Sequence, residues 1–247
     1  EEMDVKIDGF NGGDRTRLDL PELQQQLIKD IQALGKPVIL VLLNGSALAI
    51  NWENKNVNAI LEAWYPGQAA GQAIADVLFG DFNPGGRLPV TFYKSEKDLP
   101  LFDQYKLSAQ TYRYFKGEPL YPFGFGLSYT SFSYENLAVM REFKAGDSIR
   151  VSVTVKNTGK VAGDEVAQLY LANKSTARLN PTLKGFKRIH LNPGESSTVN
   201  FVLPPNDFSV FNGKNEREIL KGKFEIFVGG GQPKYNKQSL NSIITLL

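Results

Sequence analysis

The hydrophobic pattern of the chain changes once along its length, and this change restricts the folds that it can adopt. Up to about residue 80, apolar residues recur at helical spacing or form short unbroken runs. Beyond Ser131, apolar and polar residues alternate in short segments separated by turn signals. A period near 3.6 predicts helices, a period of two predicts half-buried strands, and unbroken runs predict strands buried on both faces. The sequence therefore predicts two domains of different architecture.

The first part of the chain predicts helices that alternate with parallel strands. Apolar side chains share one helical face of residues 21–34, just before Gly35, and we expect an amphipathic helix there. The runs 38–43 and 60–64 have the length of buried strands, and the Ala-rich segment 68–79 has the length of a helix. Helix and strand in alternation indicate an α/β layer structure.

The second part predicts an all-β domain. The predicted strands are 148–155, 166–171, 186–191, 197–202, 223–228 and 242–247. Evenly spaced short strands with Asn, Pro and Gly turns between them are typical of an antiparallel sandwich. Residues from about 81 to 130 contain many helix and strand breakers, so we expect a long irregular connection between the two parts.

Composition excludes several classes of function. With 28 basic and 26 acidic residues the net charge is +2, and these charges are scattered, so nucleic acid and anionic membrane are poor partners. No apolar run reaches the roughly 18 residues of a membrane helix. The chain has no cysteine and one histidine, His190, for which the sequence offers no partner. We therefore expect neither a metal site nor a cofactor, and any chemistry must use carboxylates.

A series of short motifs follows in order along the chain. They are Gly13-Asp14-Arg15, Leu43-Asn44-Gly45, Trp64-Tyr65-Pro66-Gly67, and the segments 75–80, 83–89, 121–130 and 191–195. In this order and at this spacing the chain resembles the C-terminal part of β-glucosidases and β-xylosidases of glycoside hydrolase family 3. The resemblance extends over essentially the whole chain.

The resemblance implies a partial three-layer α/β sandwich over residues 1–94, a linker over 95–130, and a fibronectin type III-like β-sandwich over 131–247. In the family, an N-terminal (β/α)8 barrel supplies the nucleophilic aspartate and most sugar-binding residues. We therefore expect the barrel as the partner of this chain, and we expect the isolated chain to be inactive. No substrate-binding residue is assigned within it.

The resemblance also implies one catalytic residue. Retaining glycosidases use two carboxyl groups about 5 to 5.5 Å apart, of which one attacks and the other acts as general acid and then base. In many family members the acid/base glutamate lies just upstream of the Asp-Arg motif, which here corresponds to Glu1, with Glu2 as the near competitor. From composition alone, the two glutamates would be a solvated chain end. We expect that the natural start precedes Glu1, so that any signal peptide lies outside the sequence.

The implied activity is that of an exo-acting retaining β-glucosidase, which hydrolyses terminal non-reducing β-D-glucosyl residues of β-linked oligosaccharides or glycosides. A β-xylosidase or a broad-specificity β-glycosidase is the alternative. A non-catalytic structural or carbohydrate-contacting module is the alternative from another class. The resemblance implies a periplasmic or secreted protein, and a homodimer is left open.

Further residues allow two interpretations each. Arg15 either fixes the catalytic loop through a carboxylate or is an ordinary surface charge, and the sequence favours the second. Residues 44–46 follow a predicted buried strand at its carboxyl end, where α/β sheets usually bind ligands, so they border the cleft or serve only as a turn. The aromatic residues of the motifs are assigned to packing between domains, which is commoner than sugar stacking. They are Trp64, Tyr65, Tyr112, Tyr114, Phe115, Tyr121 and Phe123.

Overall fold

The computed structural model describes residues 9–11, 14–101, 110–174 and 179–247. The chain divides into two compact units. The first contains residues up to Asp81 together with Val90–Thr111 and Phe115–Pro122, and the second contains Phe82–Pro89, Tyr112–Tyr114 and Phe123–Leu247. Three parts of the connection predicted at about 81–130 therefore belong to the second unit, namely 82–89, 112–114 and 123–130. The limits 1–94, 95–130 and 131–247 themselves stay predictions.

The first unit contains the predicted helices and strands together with short elements that the sequence analysis did not predict. In chain order they are β1 (Phe10–Asn11), β2 (Asp14–Arg15), α1 (Glu22–Ala33), β3 (Ile39–Leu42), α2 (Glu53–Asn56), β4 (Ala59–Glu62) and α3 (Ala70–Phe79), followed by a 3-10 turn (Glu96–Asp98) and the short helix α4 (Thr111–Tyr114) at the boundary between the units. Gly80 ends α3 because its φ of 86° lies in the left-handed region, which favours glycine. Strands β3 and β4 pair in parallel, which confirms the α/β layer.

Burial along β3 differs from the expectation. Leu42 is only 5% exposed and packs with Leu48 and Ile50 in a small core, but Ile39 is 51% exposed. The prediction of burial along the whole strand was therefore wrong for this chain, because the sheet formed by its described residues has only two strands here. Likewise, Leu23 on the apolar face of α1 is 85% exposed.

The second unit is a β-sandwich, as predicted. Its strands are β5 (Phe132–Val139), β6 (Glu142–Phe143), β7 (Ile149–Asn157), β8 (Gly163–Asn173), β9 (Thr182–Leu191), β10 (Ser196–Leu203), β11 (Ser209–Phe211), β12 (Arg217–Ile219), β13 (Gly222–Gly229) and β14 (Leu240–Leu246). One sheet has the order β10-β7-β5 and the other the order β6-β14-β13-β8-β9. All pairs are antiparallel except β6 with β14.

Alternation along the strands explains the sandwich core. Every second side chain of β7 points inwards, and Val151, Val153 and Val155 are fully buried, as are Leu169 on β8 and Ile226 on β13. Side chains from both sheets form one continuous hydrophobic cluster. This agreement between a period of two and one buried face is the reason why the sequence predicted the domain.

Asn157 at the end of β7 is a buried polar centre of this unit. Its Oδ1 accepts hydrogen bonds from the Thr130 hydroxyl at 2.6 Å and from the Gly159 N–H at 3.0 Å. Its Nδ2 donates to the carbonyl oxygens of Val161 at 2.8 Å and Leu191 at 2.9 Å. The side chain thus uses its whole hydrogen-bonding capacity within the fold.

Replacing Asn157 with alanine is expected to reduce the free energy of unfolding of the sandwich by roughly 2 to 4 kcal/mol, because it removes the hydrogen bonds made to two buried partners, the Thr130 hydroxyl and the Leu191 carbonyl oxygen, and two further ones. Urea unfolding of the 247-residue chain measures the change. Asn241→Ala is the matched control, since Asn241 is exposed and donates only to Glu225 at the surface of β13. Equal losses for the two variants would contradict the role of Asn157.

Candidate functional site

The carboxyl ends of β3 and β4 lie side by side. The two strands are parallel, and Leu42 at the end of β3 pairs with Glu62 at the end of β4. Residues 44–46 follow β3 directly, so the turn and the last residue of β4 are at the same edge of the sheet. Ligands of α/β sheets usually bind at this edge. The structure therefore brings one predicted set, residues 44–46, to such an edge, together with Glu62, which the sequence analysis did not single out.

The turn at residues 44–46 is held by close contacts. The Asn44 Nδ2 donates to the Ser46 carbonyl oxygen at 2.7 Å. Gly45 lies against the Tyr65 ring, and a Cβ on Gly45 would be only 2.7 Å from Tyr65 Cε2. The Tyr65 ring is 78% exposed and can rotate away, so this contact alone does not require glycine.

Arg15 is bonded to this turn. Its Nη2 donates to the Ser46 hydroxyl at 2.6 Å and lies 3.5 Å from the Ala47 carbonyl oxygen. The Ala49 N–H donates to the Leu18 carbonyl oxygen at 2.8 Å, which ties the same two segments together. Arg15 is exposed, in agreement with the sequence interpretation, but its contacts with Ser46 and Ala47 were not foreseen. They join the Asp-Arg motif to the edge of the sheet.

Glu62 is a half-buried carboxyl group at the same edge. Its Oε1 accepts a hydrogen bond from the Trp64 N–H at 3.1 Å. Burial raises the pKa of Glu62, against the lowering effects of the hydrogen bonds from Trp64 and from the Asn44 side chain. The signal that would have identified it is a lone carboxylate inside the apolar run 60–64. Such a group can act in proton transfer or hold its neighbours in place.

The predicted catalytic residue Glu1 lies outside the described residues, as does its competitor Glu2. The first described residue after them is Gly9, which begins the β1–β2 hairpin. In this hairpin Phe10 pairs with Arg15, and Asp14 pairs with Asn11. The role of Glu1 therefore stays a prediction.

Several aromatic residues of the motifs pack on rings of their own unit, whereas Tyr65 is largely exposed. In the first unit, the Phe92 ring contacts Trp64 and Tyr121, with ring centroids 6.0 and 5.9 Å apart. In the second, Tyr112 stacks on Phe123 at 4.2 Å. These contacts give the rings a structural role, and their assignment to an interdomain interface stays a prediction.

The motif at residues 83–89 anchors the sandwich. The Arg87 Nη2 donates to both carboxylate oxygens of Glu165 at 3.2 Å, and the Tyr134 hydroxyl donates to Glu165 Oε1 at 3.1 Å. Burial, and then the Glu165 carboxylate, raise the pKa of Tyr134 well above its usual value, so the phenol keeps its proton and donates. Asn83 Nδ2 donates to the Ala162 carbonyl oxygen at 2.9 Å. The contacts of this motif are structural.

His190 has a partner, contrary to the sequence analysis. Its Nδ1 lies 2.6 Å from Asp164 Oδ1, and Arg188 Nε donates to Asp164 Oδ2 at 2.6 Å. Although burial raises the pKa of Asp164, hydrogen bonds from His190 and Arg188 outweigh it and lower that pKa. The pair joins β8 to β9, where Asp164 and His190 are register partners 26 residues apart. The His190 side chain is 63% exposed and lies apart from the β3–β4 edge in sequence and in unit.

Within the described ranges, no three His, Asp or Glu side chains are grouped so that they could hold a metal ion. Of the helices described here, none is both long enough and apolar enough to cross a membrane.

Known protein families match both parts of the chain. The profile of the glycosyl hydrolase family 3 C-terminal domain matches residues 3–129, and that of the fibronectin type III-like domain matches residues 165–232. The two matches agree with the α/β part and the β-sandwich that follows it.

Among its relatives, the chain is 43% identical to a xylan 1,4-beta-xylosidase of Xylanibacter ruminicola over 93% of this chain and 27% of that protein. It is 40% identical to a periplasmic beta-glucosidase of Salmonella typhimurium over 87% of this chain and 30% of that protein. A solved β-glucosidase from Erythrobacter marinus aligns with a TM-score of 0.83 and 38% identity, covering 98% of this chain and 32% of that one. The chain thus spans less than a third of the length of each of these relatives. Its family profile covers more than half of its own residues, so the chain belongs to glycosyl hydrolase family 3.

Proposed function

We propose that the chain is the C-terminal portion of an exo-acting retaining β-glucosidase. The complete enzyme would remove terminal non-reducing β-D-glucosyl residues from β-linked oligosaccharides or glycosides. The observation that carries this proposal is the similarity along nearly the whole chain to proteins named as β-glucosidases, in sequence and in structure. The sheet edge that carries residues 44–46 and Glu62 is the place where an α/β domain would border a substrate cleft.

Two carboxyl groups would divide the chemistry. An aspartate of an N-terminal (β/α)8 barrel attacks the anomeric carbon, and Glu1 gives its proton to the departing glycosidic oxygen. The Glu1 carboxylate then takes a proton from water, which attacks the same carbon, releases the aspartate and leaves the sugar with its original configuration. Supporting this assignment, the chain leads from Glu1 into the β1–β2 hairpin, whose Arg15 is bonded to the sheet edge.

A β-xylosidase or an enzyme of broad specificity is the second candidate. The relative named xylan 1,4-beta-xylosidase is as similar to this chain as the β-glucosidase relatives are. Glucose and xylose differ in one hydroxymethyl group, so the choice depends on the residues around that group. A non-catalytic structural or carbohydrate-contacting role of the sandwich is compatible with either activity.

The remaining aspects of the proposal concern partners and location. The proposed partner within the enzyme is the barrel, and no cofactor takes part. We propose a periplasmic or secreted enzyme, in keeping with the relative named a periplasmic beta-glucosidase. A homodimer is compatible with this proposal.

Turnover of matched aryl glycosides tests the proposed activity. We expect the complete enzyme to hydrolyse an aryl β-glucoside with retention, with kcat/KM roughly 10-fold or more above that of the aryl β-xyloside, because a pocket that hydrogen-bonds a hydroxyl group discriminates strongly against its loss. The isolated chain should show no turnover, since it carries only one of the two carboxyl groups. Preference for the xyloside would favour the second candidate, and hydrolysis of neither would contradict both.

A further inference from the structure

We propose that strand β10 is a pairing edge, along which a second copy of this chain adds its own β10 in antiparallel direction about a two-fold axis. The pairing joins the 3-stranded sheets of two copies into one continuous sheet. This interaction surface is separate from the proposed glycosidase activity and does not depend on it.

Strand β10 is a long and regular edge of the sandwich. It is the last strand of the sheet β10-β7-β5 and pairs only with β7 among the described strands. All 8 of its residues, from Ser196 to Leu203, pair with β7 without a shift of register. About half of the backbone N–H and C=O groups of an edge strand point away from its sheet. These groups of β10 are therefore available to a further strand.

The other edge strands of the two large sheets are protected against such pairing. Strand β5 is interrupted by a register shift between Glu135 and Ala138, and β6 has only 2 residues. Strand β9 carries the exposed cations Lys187 and Arg188. Bulges, short length and charges are the means by which proteins keep sheet edges from pairing. Strand β10 has no bulge, no proline and no charged residue.

The side chains of β10 suit pairing with an identical strand. Its exposed face carries four uncharged side chains, which are Ser196, Thr198, Asn200 and Val202. With the two-fold axis at Val199, Thr198 of one copy lies opposite Asn200 of the other, and these two side chains can hydrogen-bond. Ser196 then lies opposite Val202, so charges of like sign do not meet along the strand. The strand is thus complementary to itself.

The neighbouring strand β7 favours a second copy over a foreign peptide. A site for a foreign extended peptide usually has pockets for alternate side chains beside the strand. Next to β10, β7 presents Ser152 and Thr154, whose short side chains leave a flat surface. The charged Lys156 and Arg150 belong to the same face of β7. Across the axis these charges of two copies are three strand spacings apart, roughly 14 Å, which exceeds the Debye length of about 8 Å.

Sedimentation equilibrium of the complete enzyme tests the pairing. We expect a dimer with a Kd of roughly 10 to 100 µM, because an interface between two strands is small. Thr198→Lys combined with Asn200→Lys should raise this Kd about 10-fold or more, since it places like charges opposite one another. Thr198→Glu combined with Asn200→Glu should do the same. An equimolar mixture of the two charged variants should associate at least as tightly as the unmodified enzyme, because opposite charges then face each other.

A matched variant controls for the added charge. Ala138→Lys combined with Met140→Lys adds two lysines at exposed positions near the end of β5, and it should change the Kd by less than about 3-fold. Every substituted side chain in the series is exposed, so all variants should unfold at nearly the same urea concentration as the unmodified enzyme. Hydrogen exchange gives a local readout, because amides of β10 should become protected as the enzyme concentration rises.

Several results would overturn the pairing edge. An unmodified enzyme that stays monomeric well above the expected Kd would do so. A dimer that the lysine variant leaves intact uses another surface, and a mixture of the charged variants that fails to associate removes the charge argument. A monomeric enzyme whose β10 amides are protected by an added peptide with the sequence of residues 196–203 would assign the edge to a different extended chain. Turnover of aryl β-glucosides is a separate measurement, so the failure of either proposal leaves the other standing.

Discussion

Replacing Glu1 with glutamine in the complete enzyme is expected to lower kcat/KM for an aryl β-glucoside with a poor leaving group by roughly 10² to 10⁴-fold. Glutamine has the shape of the protonated acid but no proton to transfer to the departing oxygen. A substrate whose leaving group departs unaided should keep its kcat/KM, because its first step needs no acid. Steady-state kinetics on the two substrates measures the difference.

The second half of the reaction gives an independent readout for the same residue. Without a general base, water attacks the glycosyl intermediate slowly, so that intermediate accumulates with the activated substrate. Azide needs no base, and added azide should restore turnover and release a β-glycosyl azide. Glu2→Gln is the matched control and should behave as the unmodified enzyme does. If Glu2→Gln shows the selective loss and Glu1→Gln does not, the assignment to Glu1 is wrong.

Replacing Glu165 with alanine is expected to reduce the free energy of unfolding of the sandwich by about 3 to 5 kcal/mol, because removing one partner of a buried ion pair leaves the other charge unpaired. The side chain of Arg87 is only 10% exposed, and that of Glu165 only 5%. The hydroxyl of Tyr134, which is itself buried, also loses its acceptor. Urea unfolding of the 247-residue chain, with hydrogen exchange of β7 and β8, measures the loss.

Two variants control for this effect. Glu218→Ala removes an exposed glutamate of β12 and should change stability by less than about 0.5 kcal/mol. Replacing Arg87 with methionine and Glu165 with leucine together should cost less than Glu165→Ala alone, since no unpaired charge remains. A double variant at least as unstable as Glu165→Ala would show that the ion pair is not the source of the loss.

Local periodicity predicted the elements that have a regular pattern. Helix α1 and strands β3 and β7 were expected within two residues of their observed limits, whereas β8 was expected over 166–171 and extends from Gly163 to Asn173. Strand β5 was not expected, because its alternation is interrupted between Glu135 and Ala138, where the register shifts and Asn136 adopts a φ of 55°. An irregularity of this kind changes the face on which later side chains lie, and it cannot be read from a period of two.

The candidate site was predictable only in part. The sequence pointed to residues 44–46 because they follow an apolar run, and to Arg15 because of its motif. It did not show that Arg15 donates to Ser46, which is 31 residues away, or that Glu62 lies beside Asn44. A lone glutamate in an apolar run is ambiguous until the neighbouring strand is known.

The sequence was sufficient for the two architectures and for the family, since both depend on patterns that repeat or follow in order along the chain. Which polar and charged side chains bond to one another depended on the folded chain. His190 acquired Asp164 through the register of β8 and β9, and Glu165 acquired Arg87 from a segment 78 residues away. Which groups meet is set by strand register and loop closure, whereas the local pattern of apolar residues is compatible with many pairings.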